Sequence, residues 1–201
     1  MVDENVSYAR SMMPGHYGSE TTGVTLVETK FVCAWNVQGD ARQPRFVDEV
    51  RRSVGVALPT VPNTTAKSGA LTTLWLGPAS WLLIAGNAVA LSGFESRRDA
   101  LNAVGGALFD VSASRIAWTV AGAQAATVLA KGCPLDFHPR AFVEGACAQS
   151  VLGHVNVLFY KRASSPAFTV LVARSFARDV WRTLCVSAAQ YGYDVLPARL
   201  F

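Results

Sequence analysis

Residues 74–83 read LWLGPASWLL, and the uncharged run around them extends from Ser68 to Phe94, between Lys67 and Glu95. A membrane-spanning helix needs about 20 consecutive apolar residues, but Gly77-Pro78, Gly86-Asn87 and Ser92-Gly93 interrupt this run. Punctuation of that kind belongs to strands. Leu71 to Leu76 reads as one strand, Gly77-Pro78-Ala79-Ser80 as a turn with proline at its favoured second position, and Trp81 to Ala85 as the returning strand. Leu74 and Leu76 alternate with Trp75, and Leu82 and Ile84 alternate with Trp81 and Leu83, so both faces of the hairpin are apolar. Such a hairpin is expected to be covered on both sides.

Upstream of the hairpin, residues 1–22 lack periodicity and read as an arm. Val24 to Val37 reads as a strand or broken strand. Arg45 to Val54 has helical spacing through Phe46, Val47, Val50 and Val54, and Pro59 to Ser68 reads as a loop. Downstream, Ser96 is expected to open a helix, with Asp99 in its first turn, that runs to about Val104 and stops at Gly105-Gly106. LFDVS (108–112) then reads as a strand. The order strand, helix, strand, strand, helix, strand is that of a ferredoxin-like unit. A similar order starts again with a strand at Arg115–Val120 and a helix at Ala123–Ala130. A turn-rich connection, CPLDFHP (133–139), follows, then strands at Val143–Leu152, Val155–Tyr160 and Phe168–Ala173, with SSP (164–166) turning between the last two. The final helix, Phe176 to Tyr191, carries an apolar face of Ala177, Val180, Trp181, Leu184 and Ala188, with Ser175 as its expected N-cap. The expected fold class is α+β, with an arm (1–22), a first half (23–113) and a second half (114–201), the two tandem ferredoxin-like halves forming one compact unit.

The 201 residues are 51% apolar and 16% charged, against roughly 25% charged in soluble domains. A chain so short of charge is expected to have part of its surface covered by a partner. Its net charge of +4 comes from 18 basic and 14 acidic residues spread along the chain. No clustered basic stripe or nucleic-acid-binding motif accompanies it, which argues against nucleic acid as a partner. Cys33, Cys133, Cys147 and Cys185 contain no CxxC pair and read as reduced, mostly buried thiols. The first ten residues, MVDENVSYAR, are acidic where a signal peptide is basic, and no apolar core follows. The expected location is cytoplasmic, without a membrane segment.

Reactive chemistry is sparse. His16, His138 and His154 have no metal-ligand spacing, and neither a GxSxG elbow nor a Walker loop is present. VAGAQAA (120–126) has one glycine where a dinucleotide fingerprint needs three, so Gly122 reads as a tight strand-to-helix turn. Asp110 and Asp136 each end an apolar segment, as turn-closing aspartates do. No residue of this chain is expected to be catalytic, cofactor-binding or metal-ligating. Arg174, Arg178 and Arg182 follow one another at four-residue spacing along one flank of the last helix. That row is the candidate interface: it suits carboxylates of a partner chain, and equally a solvated helix face.

Several strings, taken together and in this order, carry a resemblance: SVGVALPTVPN (53–63), LWLGPASWLL (74–83), LFDVSASR (108–115), LAKGCPLDFHPRAF (129–142) and VARSFARDVWRTLCVSAAQYG (172–192). Over about residues 45–192 the chain resembles the gamma subunit of heterotetrameric sarcosine oxidase. Where that family typically places an acidic pair after Gly-Pro, this chain has Ala79 and Ser80. The resemblance implies a fold similar to the folate-binding domain of aminomethyltransferases. It also implies alpha, beta and delta partner subunits in a complex that oxidises sarcosine to glycine. In such a complex oxygen goes to hydrogen peroxide, and the methyl carbon leaves as formaldehyde or passes to tetrahydrofolate. FAD, FMN, NAD, zinc and the folate are expected in those partners and none of them in this chain. Aminomethyltransferases carry an acidic residue in a hairpin that corresponds here to LGHVNVLFYK (152–161), which has no Asp or Glu; Asn156 cannot act as a base. The expected role is therefore a non-catalytic subunit that forms interfaces. The alternatives are a free-standing folate-binding protein with a degenerate site and the equivalent subunit of an N-methylglutamate dehydrogenase complex.

Overall fold

The computed structural model describes residues 13–86, 93–162 and 166–201. Most of the arm, the 87–92 segment with its expected break, and most of the SSP turn lie outside them. The described strands are β1 (Gly15–Tyr17), β2 (Val24–Lys30), β3 (Cys33–Gln38), β4 (Thr65–Ser68), β5 (Leu71–Gly77), β6 (Ser80–Ala85), β7 (Ala107–Asp110), β8 (Arg115–Ala121), β9 (Cys147–Leu152), β10 (Val155–Tyr160), β11 (Ala167–Ala173) and β12 (Tyr193–Leu200). The helices are α1 (Pro44–Glu49), α2 (Phe94–Asn102), α3 (Ala125–Ala130) and α4 (Ala177–Ala188). The chain divides into two compact units, one built mainly of residues 13–30, 116–144 and 149–199, the other mainly of residues 31–115.

The second of these units holds a five-stranded sheet in the order β4-β5-β6-β3-β7. Without the edge strand β4, this is the 4-1-3-2 order of a ferredoxin-like unit, with β3, β5, β6 and β7 as its four strands. The opening hairpin forms as its sequence requires, Leu74 facing Leu82 and Trp75 facing Trp81 across the antiparallel ladder. Trp35, Val37, Trp81, Leu83 and Ala85 share one sheet face and pack with Phe46, Val50 and Leu101 into one core. On the other face Ala34, Leu74, Leu82 and Ile84 are also buried, so the hairpin is covered on both sides.

The other unit holds a seven-stranded sheet in the order β1-β12-β2-β8-β11-β10-β9. Strands β8, β10, β11 and β12 are its ferredoxin-like set, with β2 inserted between the first and the last. Residues 24–30, expected in the first half, pair with β8 through the register Thr25–Ala121 to Thr29–Ala117. The strand or broken strand expected from Val24 to Val37 is a broken one: it is interrupted at Phe31-Val32, and its two pieces join different sheets.

Other boundaries move for local reasons. The helix expected from Arg45 is α1 followed by a π-helical turn, Val50–Val54, which ends at Gly55 with φ 79°. Helix α2 starts at Phe94 after Gly93 in the left-handed conformation, so Ser96 lies inside it and Glu95 takes the first-turn place given to Asp99. The strand expected from Val143 begins only at Cys147, because Gly145 at φ 78° turns the chain first. Ser175 does not cap α4: Arg174–Phe176 form a 3-10 turn and the helix opens at Ala177. Part of the 59–68 loop is strand β4, and Tyr193–Leu200 form β12, which the sequence reading left unassigned.

Candidate functional site

Helix α4 buries Ala177, Val180, Trp181, Leu184, Cys185 and Ala188 and turns its other side outward. Arg178 and Arg182 are exposed on that side one turn apart, with Asp179 exposed between them. Val186 continues the exposed side at the next turn and is 70% exposed. Arg174 does not complete an α-helical row, since it opens the preceding 3-10 turn and is half-buried. The candidate interface is therefore Arg178 and Arg182 beside an apolar Val186, a residue that the pattern of α4 did not single out.

Asp110, Asp136 and His138 serve local structure. Asp110 accepts hydrogen bonds from the Ser112 N–H and hydroxyl, and Asp136 accepts one from the His138 N–H. His138 Nδ1 accepts from the Arg140 N–H. His154 and Asn156 are exposed on the β9–β10 hairpin. The Gly122 N–H donates to the Pro166 carbonyl, and the Gln124 and Ala125 N–H groups donate to the carbonyls of Gly23 and Gly122. Those donors are occupied within the chain, and Gly122 at φ 116° is the tight turn expected of it. Among the described residues no group of three or more His, Cys, Asp or Glu side chains stands together as a metal site.

The connection CPLDFHPRAF folds into the core of its unit. Phe137 packs edge-on against Phe159 and Phe168 at 5.0 and 5.3 Å, and Phe142 lies 6.1 Å from Phe168. Lys161 is buried among them: its Nζ donates to the Phe142 carbonyl at 2.9 Å and stands over the Phe168 ring. A string that carries the resemblance is thus a packing device.

A cleft of about 560 Å³ opens in the other unit, lined by Asp40, Ala41, Arg42, Thr60, Trp75, Pro78, Ala79 and Trp81. The Arg42 guanidinium grips Asp40 with two hydrogen bonds of 2.9 and 3.0 Å and holds its carboxyl down to about 2. Sequence reasoning missed this cleft because three separate turns, at 40–42, 60 and 78–79, build it. Its lining has aromatic surface and an ion pair, with no histidine or cysteine.

Residues 38–190 match the model of the family described as sarcosine oxidase, gamma subunit. The chain belongs to the sarcosine oxidase gamma subunit family. Sarcosine oxidase subunit gamma of Corynebacterium sp. (strain P-1) is 32% identical over 181 residues, covering 88% of this chain and 86% of that one. The subunit gamma of Corynebacterium sp. (strain U-96) is 34% identical over 140 residues, 69% of this chain and 67% of its own. The solved heterotetrameric sarcosine oxidase from Corynebacterium sp. U-96, in complex with pyrrole 2-carboxylate, contains a similar chain. Its TM-score is 0.77 at 26% identity, over 87% of this chain and 88% of that one. Glycine cleavage system aminomethyltransferase T from Bartonella henselae shares the fold, with a TM-score of 0.59 at 15% identity. That likeness covers 89% of this chain and 48% of the transferase. The family resemblance and the α+β fold expected from the sequence both stand.

Proposed function

We propose that the chain is the gamma subunit of a heterotetrameric sarcosine oxidase, assembled with alpha, beta and delta subunits, and that it contributes interfaces and no reacting group. The complex would oxidise sarcosine to glycine and hydrogen peroxide, the methyl carbon leaving as formaldehyde or on tetrahydrofolate. FAD, FMN, NAD, zinc and folate would be held by the partners. The observation that carries this reading is the relationship to gamma subunits along nearly the whole chain. Supporting the non-catalytic part, Asp110, Asp136 and His138 are engaged in turns, and the stretch 152–161, which the resemblance matches to the folate hairpin, has no Asp or Glu. Fold alone does not carry aminomethyltransferase chemistry with it. The two halves would contribute surface to this assembly, with Arg178 and Arg182 of the expected row Arg174, Arg178 and Arg182 on the outer side of α4, in a cytoplasmic enzyme.

Co-purification of a tagged chain from its native host, with an absorbance spectrum of the product, tests the proposal. Three co-purifying subunits and flavin bands are expected, with sarcosine-dependent peroxide formation. In that complex, Asp110→Ala, Asp136→Ala or His138→Ala is expected to alter yield more than turnover. A loss of turnover of about a hundredfold, the scale of a removed general acid or base, at unchanged assembly and flavin content, overturns the non-catalytic reading.

A further inference from the structure

Strand β1 is three residues long and lies at the edge of its sheet, paired with β12 from Gly15–Val195 to Tyr17–Tyr193. So short an edge strand has little stability of its own. His16, at its centre, ties it down at both ring nitrogens. Nδ1 lies 2.7 Å from Oδ1 of Asp194 on β12, and Nε2 lies 2.7 Å from the Ser19 carbonyl oxygen. Thr22 Oγ1 donates to the other carboxylate oxygen of Asp194. An ionised carboxylate and a peptide carbonyl only accept hydrogen bonds, and a neutral imidazole has a single N–H. Only the doubly protonated ring satisfies both partners.

We propose that His16 is a pH-dependent clasp: as the imidazolium it fastens β1 to β12, and on losing a proton it holds the strand less tightly, so that release becomes more frequent. Release uncovers the outer edge of β12 at Tyr193–Val195 and separates the Tyr17 and Tyr193 rings, now stacked at 5.5 Å. Asp194 is the charged group that faces the imidazole from β12. On the connecting loop Ser19 and Thr22 are neutral and Glu20 is exposed. Tyr191, in the turn after α4, packs under the ammonium of Lys131, and burial pushes the Tyr193 hydroxyl up, so that it stays neutral through this range. The hydrogen bonds that the ring donates to Asp194 and then to the Ser19 carbonyl raise His16 above its ordinary 6.5. A raised value means that the clasp is complete below pH 6.5 and is lost as the pH rises through the folded-state value.

Mass-spectrometric hydrogen exchange on the full-length chain in its native assembly, between pH 5 and 9, tests this through the His16 Cε1 proton and the amides of residues 15–22. The His16 midpoint is expected above 6.5. Across it, amide exchange corrected for its intrinsic pH dependence is expected to quicken about two- to fivefold, as suits an exposed ion pair. His16→Gln is expected to hold the faster level at every pH, and Asp194→Asn to lower the His16 midpoint. A midpoint at or below 6.5, or an unchanged amide step in His16→Gln, overturns the proposal.

Discussion

The indole rings of Trp118 on β8 and Trp181 on α4 lie 6.0 Å apart with their planes 33° from parallel, and both are buried. Neither indole N–H has a hydrogen-bond partner among the described residues. The pair docks α4 onto its sheet by apolar area and ring contact, while each buried, unpaired N–H opposes it by about 1–3 kcal/mol. Trp181→Phe keeps a ring and removes one such donor, so its stability is expected within about 1 kcal/mol of the parent. Trp181→Ala leaves a cavity and is expected to lose about 3–5 kcal/mol. Denaturant unfolding of the two variants checks this, and equal losses would show that the N–H is not an opposing group.

On the outer side of α4, Arg178 and Arg182 stand one turn apart. Replacing both by Ala is expected to weaken assembly by about 2–5 kcal/mol, the range for desolvated charge pairs, without altering flavin content per assembled enzyme. A subunit-exchange assay measures it. Unchanged exchange would assign both arginines to a solvated face.

A methyl group at Gly122 would meet the Gly23 carbonyl oxygen at 2.6 Å, from a residue already at φ 116°. Gly122→Ala is expected to destabilise by at least about 2 kcal/mol, since strain and a backbone clash act together. Thermal unfolding reads this directly, and a neutral substitution would show that the β8–α3 turn adjusts.

Burial pushes the thiol of Cys147 up to about 11, and burial followed by the nearby Asp110 does the same for Cys33. At pH 8 about one in a thousand of either is then thiolate. The folded chain is expected to leave both unmodified by iodoacetamide over an hour, and full labelling is expected only in denaturant. Peptide mapping after a timed exposure checks it, and rapid native labelling of Cys147 would contradict its full burial.

What the sequence determined by itself is local: the Leu71–Ala85 hairpin, the apolar face of α4, the turn-closing roles of Asp110 and Asp136, and the strings that carry the family. Each of these is set by neighbours within one turn or one hairpin, where periodicity and turn chemistry act directly. Tertiary structure decided the partners. VTLVETKFVCAWNVQ (24–38) has no glycine or proline to mark where β2 ends and β3 begins, and both pieces are apolar enough for either sheet. Contacts across 90 residues, such as the hydroxyl hydrogen bond between Thr29 and Thr119, hold β2 beside β8. The cleft at Trp75 and Trp81, the clasp of His16 on Asp194 and the place of β12 between β1 and β2 arise in the same way. Their members are far apart in the chain, and no one-dimensional spacing records a contact that only the closed sheets bring about.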